Sequence, residues 1–97
     1  MMKKQFDTGQ LVATAAVHSK MKSDEDFYAF CISSFFRHEN CDWGDTCDDD
    51  KRLNDEALES GDRVFSVYYY NGNPNERIWI ITESDRSVTT ILFPSDY

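Results

Sequence analysis

From residue 63 onward, apolar and polar side chains alternate with a period of two. Residues 63–70, 76–83 and 88–93 are rich in Val, Ile, Thr, Tyr and Trp, and they are separated by Asn71-Gly72-Asn73-Pro74-Asn75 and Ser84-Asp85-Arg86-Ser87. β-Branched and aromatic side chains suit a pleated, half-buried surface and the Asn, Gly and Asp clusters break it, so the pattern predicts three strands in two consecutive hairpins. The second separator reads as a turn with a local Asp85–Arg86 ion pair. Ahead of these strands the period is 3.6. Ser23 reads as an N-cap, with Asp24, Glu25 and Asp26 on the positive end of a helix over about 24–38. At about 100° per residue, Phe27, Cys31, Ser34, Phe35 and His38 share one arc with Phe30 beside it, which makes this the buried face. Residues 39–46 are rich in turn formers. A second helix then follows, with Thr46 as its cap, Asp48, Asp49 and Asp50 near its first turn, and Gly61 as its stop. Its apolar stripe, Leu53, Ala57 and Leu58, is thin, so most of its circumference faces water. The short uncharged run Leu11-Val12-Ala13-Thr14-Ala15-Ala16-Val17 reads as a first strand. The order β-α-α-β-β-β predicts one α+β domain over 1–97: an antiparallel sheet of about four strands, the N-terminal one on an edge, with two helices packed on one face.

Charge changes this picture from a generic small domain to an asymmetric one. The 97 residues carry 18 Asp and Glu against 10 Lys and Arg, a net charge of −8. That sign opposes phosphate and argues against direct nucleic-acid binding. Residues 39–62 hold Glu39, Asp42, Asp45, Asp48, Asp49, Asp50, Asp55, Glu56, Glu59 and Asp62 against Lys51 and Arg52. The rest of the chain is balanced, so the whole net charge sits in the loop and second helix. An acidic face of this kind steers association with a basic one and competes with a polyanion for it. Asp48-Asp49-Asp50 lacks the alternating ligands and central Gly of a calcium loop. The basic Met1-Met2-Lys3-Lys4 is followed by Gln5, Asp7, Thr8 and Gln10, which interrupt any apolar signal core. No run is long enough to span a bilayer, and a cytoplasmic protein without a membrane partner is expected.

Three cysteines are an odd count for a disulfide framework. His38, Cys41 and Cys47 fall within ten residues, at the exit of one helix, in the loop and at the start of the next. Thiolates and imidazoles bind zinc, and four ligands close a structural site, so these three define a zinc candidate with His18 or Cys31 as the fourth. The alternative is that Cys31 is a core thiol on an apolar helix face and His38 a helix-terminal imidazole satisfied by a nearby carbonyl or acid. A Cys-His nucleophile lacks an oxyanion turn, and the surrounding acids raise a thiol pKa rather than lower it. Trp43 reads as a core plug anchoring the loop. No phosphate loop, dinucleotide fingerprint or serine elbow occurs, so no enzyme is expected.

One resemblance adds to this. His38, Asp42-Trp43-Gly44-Asp45, Asp50-Lys51, Asn54, Ala57-Leu58, Gly61-Asp62-Arg63, Ile78-Trp79-Ile80-Ile81-Thr82-Glu83, Asp85-Arg86-Ser87, Thr89-Thr90, Leu92-Phe93-Pro94 and Tyr97 together resemble a family of small bacterial, phage and plasmid proteins labelled as plasmid-related or restriction-associated. The likeness covers about the last 60 residues, with a looser match over 6–14. Cys41 departs from the pattern, where Gly is usual, and Cys47 is not a general feature of that family. Small acidic proteins of mobile-element origin include anti-CRISPR inhibitors. The resemblance therefore implies a binding protein that acts on a type II, RNA-guided CRISPR effector nuclease, blocking target-DNA loading or cleavage. The charge pattern of the loop and second helix then makes Asp42, Asp45, Asp48, Asp49, Asp50, Asp55, Glu56 and Glu59 the expected partner-binding residues. The alternative expectation is a small zinc-stabilised regulatory domain with no inhibitory role.

Overall fold

A computed structural model of the chain describes residues 5–97, so the reading of Met1-Met2-Lys3-Lys4 lies outside the described residues. Strand β1 (Gln10–Ala13) is followed by helices α1 (Ala15–Ser23), α2 (Glu25–Glu39) and α3 (Asp48–Ser60), then by strands β2 (Val64–Tyr70), β3 (Asn73–Thr82) and β4 (Val88–Leu92) and a closing 3₁₀ turn, Pro94–Asp96. The fold is α+β, with one four-stranded sheet in the order β1-β4-β3-β2.

The three C-terminal strands form the expected antiparallel meander, and β1 takes an edge. It runs parallel to β4, however, from Gln10 opposite Val88 to Ala13 opposite Ile91, so the sheet is mixed rather than antiparallel. The meander makes β2 and β4 run the same way, and the helical connection from β1 to β2 returns the chain to the end of the sheet from which β1 started. Parallel pairing needs such a crossover.

The predicted first strand also ends early. Thr14 caps a helix instead: its hydroxyl accepts from the Val17 amide at 3.4 Å and donates to Asp96 at 2.7 Å. Ala15 and Ala16 then enter α1 and Val17 is fully buried. There are thus three helices among the described residues, where two were expected. Helix α1 turns Val17 into the core beside Phe27 and Cys31 and leaves Ala15 and Ala16 exposed. The cap of α2 is Asp24, whose carboxylate accepts from the Phe27 amide, and not Ser23. The residue in the cap position of α3 is Cys47, without a side-chain bond, and not Thr46.

Core packing follows the alternation. Val64, Ser66 and Tyr68 of β2, Ile78, Ile80 and Thr82 of β3, and Thr89 and Ile91 of β4 are buried in register on one face. Val17 of α1 and Phe27 and Cys31 of α2 pack against Tyr68, Ile78, Ile80 and Ile91. Phe27, Cys31, Ser34 and His38 are the buried positions of α2, four of the five on the arc read from the sequence; Phe35 is half-buried at its margin, packed against the core. Helix α3 stands apart from this layer and packs against β2 through Ala57, Val64 and Trp43.

Candidate functional site

The loop and helix that hold the excess charge lie along the outer edge of β2, and much of their chemistry is spent there. An edge strand offers unpaired amides and carbonyls on alternate residues, which in β2 are Phe65, Val67 and Tyr69. Each meets a group from residues 44–54. The Asn54 side-chain amide donates to the Phe65 carbonyl at 2.6 Å and accepts from its N–H at 3.0 Å, as a neighbouring strand would. Asp45 donates its backbone N–H to the Val67 carbonyl at 2.7 Å, while Thr46 Oγ1 accepts from the Val67 N–H at 2.9 Å. The Asp45 carboxylate then accepts from the Tyr69 N–H at 2.9 Å. Gly44 forms a bridge with Val67. The Asp-Trp-Gly-Asp-Thr stretch is therefore a strap that closes the sheet edge. Asn54→Ala removes two hydrogen bonds at once and re-exposes the edge, so urea denaturation is expected to show a loss of about 2 kcal/mol.

The strap sorts the eight acids proposed as partner-binding. Asp42 is held by Arg37, which donates to it at 2.8 and 3.2 Å, and it accepts from the Gly44 amide. The bonds from Arg37 hold its carboxyl below the usual carboxylate range, against an opposing desolvation. Asp45 caps β2, and Asp55 accepts from the Trp43 indole N–H at 2.9 Å, fixing the buried plug the sequence anticipated. Asp49 pairs with Arg52 at 2.7 Å across one turn, largely in solvent. Asp48, Glu56 and Glu59 are exposed on α3, and Asp50 is half-buried; the carboxylates of these four take part in no hydrogen bond or ion pair within the described residues. Acids in the first turn complement the helix dipole. At the other end of α3, Arg86 donates to the carbonyls of Ala57 and Asp62 at 3.0 and 2.7 Å, supplying the cation that the last turn lacks. Arg86 thus caps a helix rather than pairing with Asp85, whose carboxylate accepts from Ser87.

The zinc candidate residues do not converge. His38 is fully buried and both ring nitrogens are engaged: Nδ1 with Ser66 Oγ at 2.5 Å and Nε2 with Thr82 Oγ1 at 2.9 Å. Thr82 and Thr89 hydroxyls lie 2.6 Å apart, and Thr89 donates to the Thr8 carbonyl at 2.6 Å. A carbonyl only accepts, so Thr89 spends its proton there and must accept from Thr82. Thr82 in turn must accept from His38, which places the imidazole proton on Nε2 and leaves Nδ1 to accept from Ser66. Cys31 lies in the core, where burial pushes its thiol up to about 12. Cys41 is half-buried, its thiol pushed up by burial and then by Asp55. Cys47 and His18 are exposed, and His18 lies on α1. Among the described residues no three His, Cys, Asp or Glu side chains form a group that could hold a metal ion. The geometry instead makes Cys41 a backbone position: its φ of 64° is left-handed, which is the conformation a Gly adopts freely at a helix exit.

The buried His38 network is the part that sequence reasoning missed. Its signal was present, since Ser66, Thr82 and Thr89 fall on the inward register between Val64, Tyr68, Ile80 and Ile91, where a polar residue needs a partner. Compared with known proteins, the chain matches no family model, no curated protein and no solved structure.

Proposed function

We propose that the protein acts by binding rather than by catalysis, as a mobile-element-encoded inhibitor whose acidic α3 face docks on a basic surface of an RNA-guided, type II CRISPR effector nuclease and hinders loading or cleavage of target DNA. The observation that carries this reading is the segregation of charge: the net −8 of the chain equals that of residues 39–62, and Asp48, Glu56 and Glu59 project from α3 with no partner within the described residues. A nuclease of this kind holds its heteroduplex in a positively charged channel, which an acidic helix of about 20 Å can approach. Asp42, Asp45 and Asp55 support the reading only indirectly, because they hold the strap on which α3 sits.

That division defines the test. Asp48→Lys, Glu56→Lys and Glu59→Lys combined reverse the exposed face and leave the strap intact. Target-DNA cleavage by a purified nuclease of this type is measured with the protein added before or after the DNA. The wild type should inhibit when added first, and the triple variant should bind about tenfold or more weakly, with a flatter salt dependence. Equal inhibition by the two proteins overturns the acidic-face reading, and absence of inhibition by the wild type overturns the choice of partner.

A further inference from the structure

Beside the acidic face lies a groove of about 370 Å³, lined by Asp50 and Leu53 of α3 on one side and by Arg63, Phe65, Trp79 and Tyr97 on the other. Phe65 and Trp79 belong to the sheet face turned away from α1 and α2, as their alternation with buried Val64, Ser66, Ile78 and Ile80 requires. Their rings meet edge to face at 5.1 Å, and Tyr97 continues the ladder 5.7 Å from Trp79. Two apolar rim residues remain in water, Leu53 at 59% exposure and Tyr97 at 74%. On the aromatic side the Arg63 guanidinium lies 5.9 Å over the Tyr97 ring and donates to its hydroxyl at 2.9 Å, so this wall already accommodates one guanidinium. On the other side the carboxylate of half-buried Asp50 takes part in no hydrogen bond or ion pair within the described residues.

We propose that this groove seats an arginine side chain of a protein partner and so anchors the basic surface that α3 attracts. The inference rests on the acidic-face reading and gives it a place of attachment. The chemistry selects the occupant. A phosphate or carboxylate group meets the negative field of α3 and is repelled. A purely apolar segment desolvates Asp50 without pairing it. A lysine satisfies Asp50 but offers no plane to lay against Phe65, Trp79 and Tyr97. An arginine does both, its alkyl stem covering Leu53, its planar guanidinium against the rings and its donors on the carboxylate.

The test uses the full ¹⁵N-labelled chain titrated with blocked tetra-arginine and tetra-lysine peptides at low ionic strength. The Trp79 indole N–H signal should shift saturably with tetra-arginine, while that of Trp43, buried and bonded to Asp55, stays in place. Tetra-arginine should bind about threefold or more tightly than tetra-lysine. Asp50→Asn should weaken tetra-arginine about fivefold, and by more than Asp48→Asn, which removes the same charge outside the groove. Arg63→Ala should strengthen it by more than Arg52→Ala, since only Arg63 shares the groove. A Trp79 signal that stays still while α3 amides shift, or equal affinities for the two peptides, overturns the groove as an arginine site and leaves the acidic face standing. Failure of the acidic face is read separately, in the nuclease assay with the α3 variants.

Discussion

Gly44→Ala is expected to destabilise the protein by about 3 kcal/mol or more, a large part of the roughly 5–15 kcal/mol that holds a domain of this size. Gly44 has a φ of 64°, and a Cβ built there would lie 2.4 Å from the Tyr68 ring and 2.5 Å from the Val67 carbonyl oxygen. Neither neighbour has room to yield. Tyr68 is fully buried, packed among Ile78 and Ile80, and its hydroxyl donates to the Asp42 carbonyl at 2.7 Å, while Val67 O already accepts from Asp45. The added methyl therefore lifts the strap from the edge of β2, and the bonds from Asp45 and Thr46 go with it. Gly61→Ala is the control. Gly61 also has a left-handed φ, 81°, but nothing lies within 4 Å of its Cβ position, so only backbone strain of about 1 kcal/mol is expected. Urea denaturation of the two variants separates strain from collision, and equal losses would mean that the strap is not tightly seated against Tyr68.

Acidification should produce the second large effect. Burial, and secondarily the Arg86 guanidinium, lower the His38 pKa from 6.5 to about 3. At pH 7 the folded imidazole is neutral and the unfolded one about three-quarters so, and the group contributes only a small pH dependence there. As pH falls below 6.5 the unfolded chain takes up a proton that the folded one refuses. Stability is then lost at about 1.4 kcal/mol per pH unit until the folded pKa is reached. Between pH 7 and 5 this amounts to about 2 kcal/mol, in a window above that in which Asp42 and Asp85, whose carboxyls are held below the usual range, begin to matter. His38→Gln keeps one donor and one acceptor in the network but has no proton to gain. Its stability should be lower than that of the wild type at pH 7, with a much smaller loss between pH 7 and 5. A His38 imidazole signal, told apart from that of exposed His18 by its absence in His38→Gln, that titrates near pH 6 in the folded protein would contradict the closed network of Ser66, Thr82, Thr89 and the Thr8 carbonyl.

Both effects belong to groups whose importance the sequence reading assigned differently. Asp42, Asp45 and Asp55 were legible as acids in an acidic segment, and their charge was counted correctly. Their employment on Arg37, on the Tyr69 amide and on the Trp43 indole was not, because each partner is 5 to 24 residues away. Local spacing brought His38, Cys41 and Cys47 together on paper. Among the described residues they form no group that could hold a metal ion: the His38 ring is engaged by Ser66 and Thr82 in the core, and Cys47 is exposed at the start of α3.

What the sequence determined by itself follows from periodicity and charge, which are local. The three strands from residue 63, the buried arc of α2, the stop at Gly61, the burial of Trp43 and the concentration of acid in residues 39–62 all stand in the folded protein. The tertiary structure alone decided the direction of β1, the strap on β2, the proton position on His38 and the groove beside Leu53. Alternation tells which face a side chain takes but not which way a strand runs. An amide bonded to the backbone of another strand, or a chain of hydroxyls ending on a carbonyl, exists only once residues as distant as Thr8 and Thr89 have met.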